Sequence, residues 1–287
     1  MRIEQARARF AQVAFASYLG VQLVEVAHER AVLHLPFHNT LSNPSGVLNG
    51  GAMASLLNMA GTLAAWTGID LQTEPFLATV DLTIQYLAAA AGEDVLATAR
   101  VLRRGRDLFF LEASLRNTAD KPICQGLMIY RAPDYAGLPR RCHAQPVLLP
   151  DPTPVQPPEP IRRGGYHRKL QMALLHESPG RVRLAMPYMA QHLDERGQLH
   201  EGALASLLDL AGTTAAWTLA QRQGARGATI GMQLSYLNPA QEPVMADAQV
   251  QQRSEEVFFS TVQIITVTTK QLVAMGNVSY RLLEART

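Results

Sequence analysis

Two stretches of this chain are apolar on nearly every side of a helical wheel, and the runs around them alternate between apolar and polar positions. The first stretch, Asn49 to Trp66, reads NGGAMASLLNMAGTLAAW. Ala52, Met53, Leu56, Leu57, Met59, Ala60, Leu63 and Ala64 leave its wheel no polar face. Such a helix must be wrapped rather than laid on a surface. The alternating runs predict the wrapping. Val21–Phe37 and Lys169–Pro187 read as hairpins, and 76–87, 93–104, 108–118 and 122–131 as strands of period two. One helix among about six strands predicts an α+β fold, with a curved antiparallel sheet around one long central helix. Asn58, Thr62 and the glycines within the stretch argue for a core helix and against a membrane span.

The second stretch, His200 to Trp217, reads HEGALASLLDLAGTTAAW. Gly51–Thr67 and Gly202–Thr218 align without gaps over seventeen positions, of which thirteen are identical. The differences are Met53/Leu204, Asn58/Asp209, Met59/Leu210 and Leu63/Thr214. The match continues more weakly through TVDLTIQYL and TIGMQLSYL, RRGRDLFF and QRSEEVFF, and CQGLMIYR and AMGNVSYR, at an offset of 149 to 151. Two copies at so long a period indicate a duplicated domain and exclude a solenoid. The proline-rich LLPDPTPVQPPEPIRRGG between them reads as a stiff spacer. The expected organisation is an N-terminal domain over 1–140, a linker over 141–160 and a C-terminal domain over 161–287.

Composition narrows the function. A chain of 287 residues with 47% hydrophobic and 17% charged residues builds a sizeable core. A formal charge of +2 gives no reason to expect nucleic acid or an anionic membrane as partner. Two cysteines make no disulfide framework, and the first twenty residues lack a signal-peptide pattern, so the expected setting is cytoplasmic. Cys142 and His143 are adjacent, but four ligands at zinc spacing are absent, and neither a metal nor another cofactor is expected.

Helix entry N-x6-GG, a single acid within the helix, and a following strand of the form T-V-D-L-x-I-x-Y-L together resemble the hotdog-fold acyl-CoA thioesterases. The phenylacetate-pathway branch, with its N…HGG…D arrangement, is the most similar in pattern. The resemblance covers the core of both copies and implies two tandem hotdog domains. It implies hydrolysis of an acyl-CoA thioester at the interface of two hotdog units, with CoA present only as part of the substrate. The same resemblance implies further association of the doubled chain into a homo-oligomer.

That chemistry needs backbone N–H groups for the developing oxyanion and a carboxylate that activates water or attacks the carbonyl. The free N–H groups of a helix start suit the first need, and Gly50 and Gly51 let a substrate approach them. Asp209 suits the second, and burial should raise its pKa. One helix cannot do both jobs. Eight residues separate Gly50 from Asn58, as they separate Glu201 from Asp209, about 12 Å along a helix axis. Two antiparallel helices related by a pseudo-twofold would set the start of one against the middle of the other.

Two composite sites follow. Site one joins Asn43, Asn49 and Gly50 to Asp209 and Thr229. Site two joins Asp194, His200 and Glu201 to Asn58 and Thr79, and it has lost both the glycine and the acid. Site one is expected to work and site two to be degenerate. By resemblance, Gly50 N–H polarises the carbonyl, Asp209 is base or nucleophile, Thr229 bonds the water or Asp209, and Asn43 positions water or the carbonyl. Asn49 stands where the family usually has His, and it also fits a plain helix cap. Other readings stay open at this point. Asp209 could be a structural acid, Arg103, Arg104 and Arg106 could meet CoA phosphates or form a solvated strand end, and His200 could be a cap. The function could also be that of a hotdog hydratase-dehydratase, or of a non-catalytic acyl-CoA binder. Neither helix carries a hydratase-type Asp-x4-His.

Overall fold

The two repeated phrases form the two long helices, α3 (Gly50–Gly68) and α5 (Glu201–Trp217). The structure, a computed structural model, describes residues 2–72, 77–131, 159–160, 164–220 and 226–283. In α3 every residue from Gly51 to Gly68 except Thr62 is buried, as an all-apolar wheel requires. Around it run β1 (Gln22–Ala27), β2 (Arg30–Leu35), β3 (Ala78–Tyr86), β4 (Val95–Arg104), β5 (Leu108–Asn117) and β6 (Pro122–Arg131). The last four fall within two residues of the alternating runs in the sequence. Inward and outward positions alternate along β5, where Phe109, Leu111, Ala113 and Leu115 are buried.

Copy two repeats this order around α5 with β8 (Ala173–Ser178), β9 (Arg181–Met186), β10 (Arg226–Tyr236), β11 (Val244–Ser254), β12 (Val257–Thr266) and β13 (Leu272–Leu283). Among the described residues the two sheets fuse into one of thirteen strands, ordered β1-β2-β4-β5-β6-β3-β10-β13-β12-β11-β9-β8-β7, where β7 is the two-residue Glu159–Pro160. The seam is the antiparallel pair β3/β10, with Leu82 opposite Leu234. The rest of the expected 141–160 linker, with Cys142 and His143, lies outside the described residues. Among the described residues no helix is long and apolar enough to cross a membrane.

Three short helices have no counterpart in the strand-and-helix pattern read from the sequence. They are α1 (Arg2–Phe10), α2 (Ala14–Leu19) and α4 (Gly165–Lys169). α1 packs Ala6 and Phe10 into the core beside α3, and the Arg9 guanidinium lies 5.5 Å from the Trp66 ring centroid. α2 and α4 precede the first hairpin of each copy, and each reaches into the other copy. The Phe15 N–H donates to Leu193 O at 3.1 Å, and the Tyr166 N–H donates to Ser42 O at 3.2 Å.

At the centre α3 and α5 cross with almost no space between their backbones. A Cβ added to Gly51 would lie 2.7 Å from Ser206 Cα, and one on Gly202 would lie 2.8 Å from Ser55 Cα. The Ser55 and Ser206 hydroxyls face each other at 3.1 Å. Ser55 Oγ is 2.8 Å from the carbonyl oxygens of both Gly51 and Gly202. The buried Tyr166 hydroxyl is 2.8 Å from Ser206 Oγ. These polar atoms satisfy one another in a buried crossing, where an unmet group costs far more than a bond gains. All four Gly and Ser positions are identical in the two phrases.

A methyl group at either glycine must push backbone, not a flexible side-chain end. Gly51→Ala and Gly202→Ala are each expected to destabilise the fold by about 1–3 kcal/mol, read as a lower denaturant midpoint. A surface change such as Gln251→Ala serves as control and should leave the midpoint nearly unmoved.

Candidate functional site

The crossing brings the start of α3 against the middle of α5. A Cβ on Gly50 would lie 2.8 Å from Asp209 Oδ2, so the peptide backbone itself abuts the carboxylate. Thr229, beside an irregularity in β10, donates from Oγ1 to Asp209 Oδ1 at 2.8 Å. Asp209 is 4% exposed. Burial pushes its carboxyl up from the usual aspartate range to about 6, while the Thr229 hydroxyl and the nearby Gly51 N–H pull the other way. Asn49 caps α3, with its Oδ1 accepting the Gly51 N–H at 2.8 Å. The Tyr86 hydroxyl donates to Gly50 O at 3.0 Å and fixes the first residue of the helix from the β3 side.

Site two has the same frame and a different interior. Glu201 stands at the position of Gly50, and its side chain crosses to the other copy. Glu201 Oε1 accepts the Thr79 N–H at 3.1 Å, and Oε2 accepts Asn58 Nδ2–H at 3.3 Å and the Thr79 hydroxyl. Asn58 also donates to Thr79 Oγ1 at 3.1 Å, and its Oδ1 is buried with no partner among the described residues. The Glu201 carboxylate therefore fills the space that glycine leaves beside Asp209 in site one. The amide at 58 fits that neighbour because it donates where an acid would repel. The Tyr236 hydroxyl donates to Glu201 O at 2.9 Å, the mirror of Tyr86. A cleft lies beside this site, lined by Phe10, Val13, Met59, Trp66, Asn58 and Glu201.

His200 caps α5 by accepting the Gly202 N–H at Nδ1, 2.9 Å away, and its ring lies 5.1 Å from that of Phe15. Burial pushes its pKa down to about 4, so it is neutral at physiological pH and acts as a cap. Asn43 and Asp194 hold equivalent turns. Asn43 Oδ1 accepts the N–H groups of Ser45 and Val47 and the Ser45 hydroxyl. Asp194 Oδ1 accepts the N–H groups of Arg196 and Gln198, and Oδ2 holds the Arg196 guanidinium at 2.8 Å. The structure thus brings Gly50, Gly51, Asn49, Asp209 and Thr229 together. Among the described residues the hydrogen bonds of Asn43 all stay within its own turn. Arg104 donates to Gly68 O at 2.5 Å and neutralises the C-terminus of α3, at the opposite end from Gly50.

Three contributors were not read from the sequence. Tyr86 and Tyr236 occur at matching positions of both copies, which was the available signal. His167, on α4, lies 2.9 Å from Asn49 Nδ2 through its Nε2. It is answered in copy one by Ala16, so no repeat pattern marks it.

The model of the family described as Thioesterase superfamily matches residues 45–124 and 196–273, together more than half of the chain. Human acyl-coenzyme A thioesterase 13 is 34% identical over 117 residues, 39% of this chain and 80% of that protein. The mouse protein of the same name is 33% identical over 108 residues, 37% of this chain and 75% of that protein. Among solved structures, a hot dog fold protein of Alicyclobacillus acidocaldarius superposes with a TM-score of 0.70 at 14% identity, over 96% of this chain and 98% of that one. An acyl-CoA thioesterase II of Mycobacterium marinum gives 0.66 at 14% identity, over 94% and 98%. At such identities these two speak for the fold alone, two tandem hotdog units.

The two interiors predict opposite effects of mirror substitutions. The raised Asp209 pKa means that the folded chain binds this proton more tightly than the unfolded one. Stability is therefore lost as pH rises from about 4 to about 6. Asp209→Asn removes that cost and is expected to stabilise the fold by about 3 kcal/mol at pH 8, a gain that vanishes at pH 4. Asn58→Asp sets a second carboxylate against Glu201 and should cost about 1–3 kcal/mol at pH 8, easing on acidification. Denaturant melts at both pH values measure the two effects.

Proposed function

Because the chain belongs to the thioesterase superfamily and is a thioester hydrolase, we propose that its substrate is an acyl-CoA and that hydrolysis takes place in site one alone. The observation that carries this reading is the contact of the Gly50 backbone with the buried Asp209 carboxylate, which Thr229 holds from its other side. The acyl-CoA class is supported by the names of the human and mouse relatives.

In this reading the thioester carbonyl oxygen lies at the start of α3 and accepts the Gly50 N–H. The helix dipole favours the negative charge that grows there. Asp209, with a pKa of about 6, is ionised at neutral pH and basic enough to take a proton. As general base it removes a proton from water while the water oxygen adds to the carbonyl carbon. Collapse of the tetrahedral intermediate breaks the C–S bond. The products are the free acid and CoA thiol, and the proton passes through Asp209 to the leaving sulfur. As nucleophile it would form an acyl-aspartyl anhydride that water then opens, with the same overall balance. Thr229 orients the carboxylate in either case. Site two offers neither function, because Glu201 fills its carbonyl position with negative charge and Asn58 cannot accept a proton from water.

Free-thiol release from a panel of acyl-CoAs tests the reading. Asp209→Asn is expected to lower kcat by at least about 100-fold while folding as well as the wild type. Turnover close to that of the wild type would remove Asp209 from the mechanism. For the wild type, kcat/KM should fall on the acid side with a midpoint of about 6, because only the ionised Asp209 reacts. A profile flat from pH 5 to pH 8 would contradict this role.

A further inference from the structure

The residue before each helix start differs between the copies, Asn49 in one and His200 in the other. So does the residue brought to it from the opposite copy's short helix, since His167 is answered by Ala16. Each site therefore holds one imidazole near its helix cap, but from opposite sources. In site two it is the cap itself, with Nδ1 on the Gly202 N–H. In site one it stands one residue further out, against the Asn49 amide.

The donor order in site one follows from the backbone. The Asn49 atom that meets the Gly51 N–H at 2.8 Å must be the amide oxygen. The other amide atom is then the NH2, which donates to His167 Nε2 at 2.9 Å. Nε2 must be the lone-pair nitrogen, and the ring proton of neutral His167 sits on Nδ1.

The position of His167 is built, not incidental. Its neighbour Gly165 sits against the turn Asn39–Leu41, where an added Cβ would lie 2.8 Å from Thr40 Cα. Tyr166 is fully buried, its N–H on Ser42 O and its hydroxyl on Ser206 Oγ at the helix crossing. The same crossing that seats Gly50 against Asp209 thus also sets where His167 stands.

We propose that His167 is a positioning residue of site one, which holds the Asn49 amide on the Gly51 N–H and so keeps the Gly50 N–H directed at the substrate carbonyl. This rests on the assignment of site one above. Without His167 the amide is free to turn, and the Gly51 N–H competes with that of Gly50 for the carbonyl oxygen.

Two measurements test this. Kinetics compare His167→Ala with the exchange variant Asn49→His/His167→Ala, which gives site one the residue pair of site two. His167→Ala is expected to lower kcat about tenfold with KM changed by less than about twofold. The exchange variant should recover most of that loss, which a purely structural role of His167 would not allow. Wild-type kcat in His167→Ala, or an exchange variant no better than His167→Ala, would overturn the proposal. Long-range proton–nitrogen NMR of the wild type at neutral pH reads the ring tautomer and needs neither substrate nor variant. An unprotonated Nε2 on His167 is expected, and a proton on Nε2 would overturn the proposal. The NMR result stands even if no acyl-CoA is hydrolysed, an outcome that would count against the proposed substrate instead.

Discussion

The closest approach of α3 and α5 is the contact on which the rest depends. Gly51 rests on Ser206 and Gly202 on Ser55, with the serine hydroxyls bridging the glycine carbonyls across the pseudo-twofold. That contact sets how far each helix start can penetrate the other helix. It thereby fixes Gly50 against Asp209 and Glu201 beside Asn58. It also explains why Gly51 and Ser55 are repeated unchanged as Gly202 and Ser206, while Met53/Leu204, Met59/Leu210 and Leu63/Thr214 differ. The sheet wraps the helices, but the crossing sets the geometry of both candidate sites.

Within that shared frame the two interiors are coupled pairs. Glycine goes with an acid in one, and a carboxylate goes with an amide in the other. Each pair is internally consistent. The acid at 209 tolerates no side chain opposite it, because a single Cβ would meet its oxygen at 2.8 Å. The glutamate at 201 needs donors, and Asn58 and Thr79 supply them. Crossing the pairs would set two carboxylates together on one side. The same arrangement buries Asp209 and so raises its pKa to about 6.

Much of this was legible in the chain because duplication gives an internal control. Thirteen matches in seventeen positions exposed the helices, and the period-two runs exposed the strands from β3 to β6 to within two residues. The eight-residue separation of Gly50 and Asn58 already excluded a single-helix site. The remainder was hidden for physical reasons. α1, α2 and α4 are too short for periodicity to separate from hairpin flanks, and tertiary docking into the opposite copy stabilises them. The filling of site two by Glu201 depends on which way a side chain turns, which no spacing encodes. His167 stands more than one hundred residues from Asn49 and has an alanine as its counterpart, so neither repeat nor motif pointed to it.

The central claim is that two copies make one working site, and counting sites tests it most directly. Calorimetric titration of the full chain with a thioether analogue of an acyl-CoA, which cannot be hydrolysed, reads the stoichiometry. The account predicts one analogue bound per chain, because Glu201 fills the second site. Two bound per chain, or none, would contradict it.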